Sequence, residues 1–244
     1  MRSNPPSAAA EQIAARRHPG SFFPRGASVP LLARWGGALG AVALAAVAFA
    51  IFLAAPRDGA YWWPDTPRHA LDGVFYLDLL RAMPLHHLKG WALAYYEQYP
   101  ALTVGFYPPL GHLAFALGYA VFGVQHWVPV ATVVLFFFGL LCAVFALGRL
   151  AIPDSAPPWI AFCAPLAGAI LVAASPQMLR WGEQAMLDIP ALAWAGWAAV
   201  FLVLYERAQR PRDLALFAAF AVCALYTKQT IGMPLAGAAL GLLV

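Results

Sequence analysis

The side chains in this sequence that could do chemistry fall in a few short stretches. The first runs Trp62-Trp63-Pro64-Asp65-Thr66-Pro67-Arg68-His69 and continues through Asp72 to Tyr76. The second runs from Ser175 to Pro190 and holds Arg180, Glu183 and Asp188. The third is Thr227-Lys228, between two apolar runs. A carboxylate can take the proton of an attacking hydroxyl. Arg and Lys can neutralise a phosphate. Two acids from separate segments at one membrane surface could therefore form a site, since ionisable groups at the edge of a membrane bundle are costly and often functional. Each residue also has a plainer reading. Asp65 and Asp188 could serve only as helix caps, with Pro67 and Pro190 in the first turns. Lys228 taken alone reads as an interfacial side chain whose stem is buried and whose head reaches water. His86 and His87 read as a solvated loop pair. No His-x-x-x-His or Cys-x-x-Cys spacing marks a zinc site, and no phosphate loop, dinucleotide fingerprint or nucleophile elbow occurs.

These residues need elements to position them. With Asp65 or Thr66 as N-cap and Pro67 at the first helical position, the sequence predicts a helix from 67 to about 82. Such a helix puts His69, Asp72 or Gly73, and Tyr76 on one face at spacings of three and four. Leu71, Phe75 and Leu79 form a neighbouring apolar stripe. The result is an amphipathic helix beside a Trp pair.

The rest of the chain is a membrane composition. Of 244 residues, 62% are hydrophobic and 11% charged, with mean hydropathy +0.69; a soluble domain carries about 25% charged residues. This excludes a soluble globular, disordered or disulfide-stapled protein. Cys142, Cys163 and Cys223 all lie inside apolar runs, where a thiol acts as a small hydrophobe. Gaps in the charge map delimit hydrophobic segments at about 35–55, 106–122, 127–149, 158–176, 188–205 and 214–227, with a last apolar stretch from 231 to 244. The expected fold is all-α, a polytopic transmembrane bundle, with residues 35–244 as its module and 56–105 as a long loop containing the amphipathic helix. Gly36-x-x-x-Gly40 and Gly237-x-x-x-Gly241 are weak signals of close helix packing.

Orientation follows the basic residues. Residues 1–34 hold Arg2, Arg16, Arg17, Arg25 and Arg34 against Glu11, and read as a disordered cytoplasmic arm. Arg207, Arg210 and Arg212 form the second cytoplasmic cluster. An even number of crossings must separate the two clusters, so one intervening segment does not cross. The short 106–122, which carries His112, is the one expected to lie re-entrant or flat. The loop 56–105 and the turn 176–188 then both face outward.

Taken in order, four pieces resemble the GT-C membrane glycosyltransferases, a group that includes protein O-mannosyltransferases, aminoarabinose transferases and RgtA/B/C/D-like bacterial enzymes. They are Trp63-Pro64-Asp65-Thr66-Pro67-Arg68-His69 after a first span, Tyr107-Pro108-Pro109-Leu110 opening a short apolar segment, Ala185-Met186-Leu187-Asp188-Ile189-Pro190, and Thr227-Lys228. The resemblance covers about residues 35–230. It implies that Asp65 is the catalytic acid of the first outer loop and Asp188 a second acid lining the site. It further implies a polyprenyl-phosphate sugar donor, a glycan, lipid or protein acceptor, and a multi-pass protein of the plasma (inner) membrane whose active site is extracytoplasmic. Arg68, Arg180 and Lys228 are the expected phosphate partners, and His69, Asp72, Tyr107 and Glu183 complete the expected substrate-binding set. The lipid bilayer is an expected partner and nucleic acid is not. No nucleotide is needed and no cofactor is assigned, and a divalent metal bridging acid and phosphate is left open. The sequence departs from the family where Thr66 follows Asp65 in place of a second acid. It also has Phe106-Tyr107 where aminoarabinose transferases carry an acid and a lysine, so the RgtA-like branch fits best. Relatives of this kind are longer, so the chain reads as an N-terminal, C-terminally truncated portion. The competing classes are a non-catalytic membrane subunit and, further off, a transporter.

Overall fold

The computed structural model describes residues 31–56 and 58–241. The expected disordered arm lies outside the described residues as far as residue 30, and residues 31–34 already belong to the first helix. The charge gaps become helices: α1 (Leu31–Ala54), α2 (Asp65–Ala82), α3 (Leu88–Gln98), α4 (Leu110–Phe122), α5 (Trp127–Ala151), α6 (Pro158–Ala173), α7 (Pro176–Gly182), α8 (Asp188–Ala208), α9 (Pro211–Thr227) and α10 (Gly232–Leu240). A 3₁₀ turn, Gln229–Ile231, joins the last two. The described chain is therefore all-α.

Three of these helices, α1, α5 and α8, are long and apolar enough to cross a membrane. The number becomes four if α6 and α7, bent by 70° at their junction, form one broken span. The junction follows from sequence: Pro176 disfavours a helical conformation at Ser175, which is extended. Proline also opens α6 and α9, where its fixed φ suits the first helical position. The segment 158–176 is thus one helix and the start of another, and 214–227 belongs to a 17-residue helix shorter than the spans.

α5 is the hub. It packs against α1, α4, α6 and α8, and its Val133, Phe137 and Leu141 are fully buried. Close approach depends on missing side chains. A Cβ on Gly40 of α1 would lie 2.9 Å from the Phe145 ring, and one on Gly148 of α5 would lie 2.9 Å from Pro165 of α6. Gly36-x-x-x-Gly40 accordingly faces α5 and α6, whereas Gly237 has nothing within 4 Å. Large apolar side chains remain exposed along the outside, among them Val42, Phe49, Leu135 and Leu171. Such faces suit contact with lipid tails.

The helices alternate in direction. The end of α1 and the start of α5 share a cavity of about 380 Å³, lined by Phe52, Ala55, Pro56, Gln125, His126, Trp127 and Val130. At the opposite end Arg149 donates to the Ala161 carbonyl, and Arg207 donates to the carbonyl of Leu150 near the end of α5. α9 returns beside α8, with Phe220 against Trp197 and Phe201. Residues 55–56, 58–127, 174–188 and 227–231 therefore gather at one end of the bundle. α4 stays there. Gly111 near its start would meet Leu187 and Thr227, while Phe122 at its end touches Trp127. With 13 residues it is about 20 Å long, short of a span.

α2 lies on α4 at this end. A Cβ on Gly73 would sit 2.7 Å from Cβ of Phe115. Gly73→Ala is expected to cost about 1–3 kcal/mol by forcing the two helices apart. Gly37→Ala, with nothing within 4 Å, is expected to stay within about 0.5 kcal/mol. Melting curves of the detergent-solubilised variants check both.

Candidate functional site

Asp65 is the first residue of α2, so the helix starts there rather than at Pro67. Neither expected cap forms. The N-cap is Pro64, with no side-chain cap bond. Asp65 Oδ1 instead lies 3.7 Å from Arg68 Nη1, with both side chains about half exposed. Thr66 is fully buried and donates its hydroxyl to Met186 Sδ at 3.3 Å. Nearby, the Trp62 amide donates to Gln184 Oε1 at 3.0 Å. These two bonds hold the first polar stretch against the second, some 120 residues away in the chain.

Asp188 opens α8, again without a side-chain cap bond. Its Oδ1 accepts from Lys228 Nζ at 2.7 Å, and both side chains are largely buried. α9 ends at Thr227, and the extended backbone of Lys228 turns its side chain back to the start of α8. Lys228 is thus a buried ion-pair partner rather than an isolated interfacial lysine. The other oxygen, Asp188 Oδ2, is buried with no hydrogen-bond partner among the described residues.

Tyr107 and His69 both lie within electrostatic reach of the two acids. Their rings meet edge to face at 4.8 Å. Burial pushes the Tyr107 hydroxyl above its ordinary pKa, with the charges of Asp65 and Asp188 adding to it. His69 is pulled down to about 4, chiefly by burial; Asp65 and Asp188 oppose that shift, while Lys228 and Arg68 reinforce it. All four charged groups therefore stand within electrostatic reach of one imidazole.

A second polar group lies behind this one. His69 Nδ1 is 3.1 Å from Nε2 of His112 on α4, and that Nε2 is 3.5 Å from Asp72 Oδ2. All three side chains are buried. Asp72 also accepts the Thr103 amide at 2.9 Å and the Thr103 hydroxyl at 2.5 Å. His112 is lowered to about 3 by burial and then by His69, so its ring is neutral at pH 7 and its contact with Asp72 is not an ion pair. Burial raises Asp72, with the two Thr103 bonds pulling the other way. Tyr76 stacks at 6.1 Å on His112. The face expected to carry His69, Asp72, Gly73 and Tyr76 therefore exists, and it points inward onto α4. One ligand atom from each of His69, Asp72 and His112 lies within 4.8 Å of the others, so this trio could hold a metal ion.

Not every expected site residue joins. Arg180 is exposed on α7. Glu183 lines a groove with Val47, Ile51 and Ala54 of α1 and Ile170 and Ala173 of α6, and burial raises its carboxyl. Among the described residues neither bonds to the Asp65 or Asp188 cluster. Sequence reasoning passed over His112, Thr103 and Gln184. His112 did carry a signal, as a lone imidazole inside an apolar segment. Thr103 and Gln184 carried none, because their roles depend on partners 31 and 122 residues distant.

No protein-family model, curated protein or solved structure matches the chain.

Removing one member of the Asp188–Lys228 pair leaves a charge largely buried and unpaired. Asp188→Ala and Lys228→Ala are each expected to destabilise by about 2 kcal/mol. The double variant is expected to lose less than the sum. A double-mutant cycle on thermal unfolding in detergent checks this, and strictly additive losses would contradict the pairing.

Proposed function

We propose that the chain is a membrane glycosyltransferase of GT-C type that moves a sugar from a polyprenyl-phosphate donor to an acceptor hydroxyl. One observation carries this reading. Two acids at helix starts, from distant segments joined by the Thr66–Met186 bond, lie at one end of an apolar bundle, with Lys228 on Asp188 and Arg68 beside Asp65. A lipid-linked donor would keep its tail along the exposed apolar faces and its phosphate at that polar end.

Asp65 is the better base of the two, because it is half exposed and open to an acceptor while Asp188 is engaged with Lys228. In the proposed reaction the acceptor oxygen attacks the anomeric carbon. The bond from that carbon to the phosphate oxygen breaks, and the phosphate keeps the electron pair. The hydroxyl proton passes to Asp65. Arg68 and Lys228 offset the charge on the departing phosphate. Asp188 positions Lys228. Tyr107 and His69 form the floor between the acids. Arg180 and Glu183 stand apart and take no part in these steps. With the basic clusters of the N-terminal arm and of 207–212 on the cytoplasmic side, the Asp65–Asp188 end faces outward.

Asp65→Asn is expected to lower sugar transfer from a radiolabelled polyprenyl-phosphate sugar by at least about 100-fold, with membrane insertion unchanged. Transfer at the wild-type rate would overturn the catalytic assignment. Cysteines placed singly at positions 125 and 154 are expected to react with a membrane-impermeant thiol reagent from opposite sides, with 125 outside.

A further inference from the structure

We propose that His69, Asp72 and His112 bind one divalent metal ion of the zinc class, and that this ion clamps α2 to α4. The site is separate from the acids assigned to sugar transfer and stands whether or not that assignment holds.

Convergence is the first argument. Two imidazole nitrogens and a carboxylate oxygen, from two helices and from positions 43 residues apart, come within 4.8 Å of one another. The separations to His112 Nε2 are 3.1 Å from the His69 nitrogen and 3.5 Å from the Asp72 oxygen, and the His69–Asp72 separation is within 4.8 Å, so closure on an ion draws these two ligands together. Ligands of a tetrahedral zinc ion stand about 3.3 Å apart, given bonds of about 2.0–2.1 Å.

Proton accounting is the second. His112 Nε2 faces both His69 Nδ1 and Asp72 Oδ2. A hydrogen on Nε2 can point well at only one of them, and without that hydrogen a nitrogen lone pair faces a carboxylate. A cation at the centre accepts a lone pair from all three at once.

Charge is the third. Asp72 is fully buried, and among the described residues no Lys or Arg pairs with it. Arg68 lies against Asp65 and Lys228 against Asp188. A buried carboxylate with only neutral neighbours is costly, and a divalent ion would supply the missing charge. Thr103 holds both carboxylate oxygens, as residues behind a metal ligand commonly do. Two nitrogen donors select zinc-class ions over magnesium or calcium, which favour oxygen. Complete burial of all three ligands makes the site a structural one rather than a point of attack on substrate.

The test uses the full chain, purified in detergent with an affinity tag free of histidine. Wild type is expected to bind one zinc per chain, to resist unfolding better with zinc than after chelation, and to show no response to magnesium. Cobalt(II) added to the apo protein is expected to give visible bands of low-coordinate nitrogen and oxygen ligation that one equivalent of zinc abolishes. Thr103→Val is expected to weaken zinc binding about tenfold, and His112→Ala to weaken it more. His86→Ala/His87→Ala is expected to bind as wild type does. The proposal is overturned if wild type shows neither zinc stoichiometry nor a cobalt spectrum, or if binding is lost with His86 and His87 but kept in His112→Ala. The cobalt spectrum needs only wild type, so the question is decided even if the ligand variants do not fold.

Discussion

The docking of α2 on α4 is the contact on which the polar end of this protein depends. It is made by a face with an unusual composition: a glycine at the close approach to α4, an aspartate just before it and a histidine one turn before it. Gly73 lets Phe115 approach, and that approach carries His69 and Asp72 against His112. Tyr119 adds a bond from its hydroxyl to the Ala70 carbonyl. Polar side chains on a helix beside an apolar bundle have to find partners or stay in water. Here they face each other, and Phe75 of the apolar stripe meets Trp91 and Tyr95 of α3.

The bundle beneath is built on the opposite principle. α5 has no charged residue before Arg149 near its end, and its neighbours approach it through glycine and alanine. In α5, α6 and α8 charged residues occur only in the first and last turns. The basic residues at one end bond to carbonyls at or near helix ends. The acids at the other end sit at helix starts, where a carboxylate is favoured by the backbone amides even without a formal cap bond. This segregation brings Asp65, Asp188 and Lys228 into one neighbourhood from segments that are remote in sequence.

The two proposals assign different tasks to adjacent groups. The exposed Asp65–Arg68 pair and the buried Asp188–Lys228 pair form the surface where a lipid-linked substrate could react. The His69–Asp72–His112 trio lies beneath and fixes the helix that presents Asp65. His69 belongs to both, with one nitrogen toward His112 and its ring edge-on to Tyr107. Rigid support below an exposed acid gives it a fixed direction without immobilising it in a bond of its own.

Much of this protein could be read along the chain. Apolar runs bounded by charges predicted α1, α5, α6 and α8, because a helix that meets lipid on its outside must be apolar over its whole length. The spacing of His69, Asp72 and Tyr76 predicted a shared face, because helical periodicity is local. Pro158, Pro176 and Pro211 open α6, α7 and α9, a local signal that segment bounds drawn from charge gaps left unused. The cap assigned to Asp65 or Thr66 does not form because the helix already starts at Asp65, and Thr66 inside it turns to Met186, a tertiary contact that no local rule contains. The direction of the polar face of α2, the pairing of Lys228 with Asp188, and the meeting of His112 with His69 and Asp72 were decided only in three dimensions. Local sequence sets which helices form and which faces are polar. Which polar faces meet depends on how α2, α4, α8 and α9 pack, and that is fixed by side-chain volume and by glycine positions spread over the whole chain.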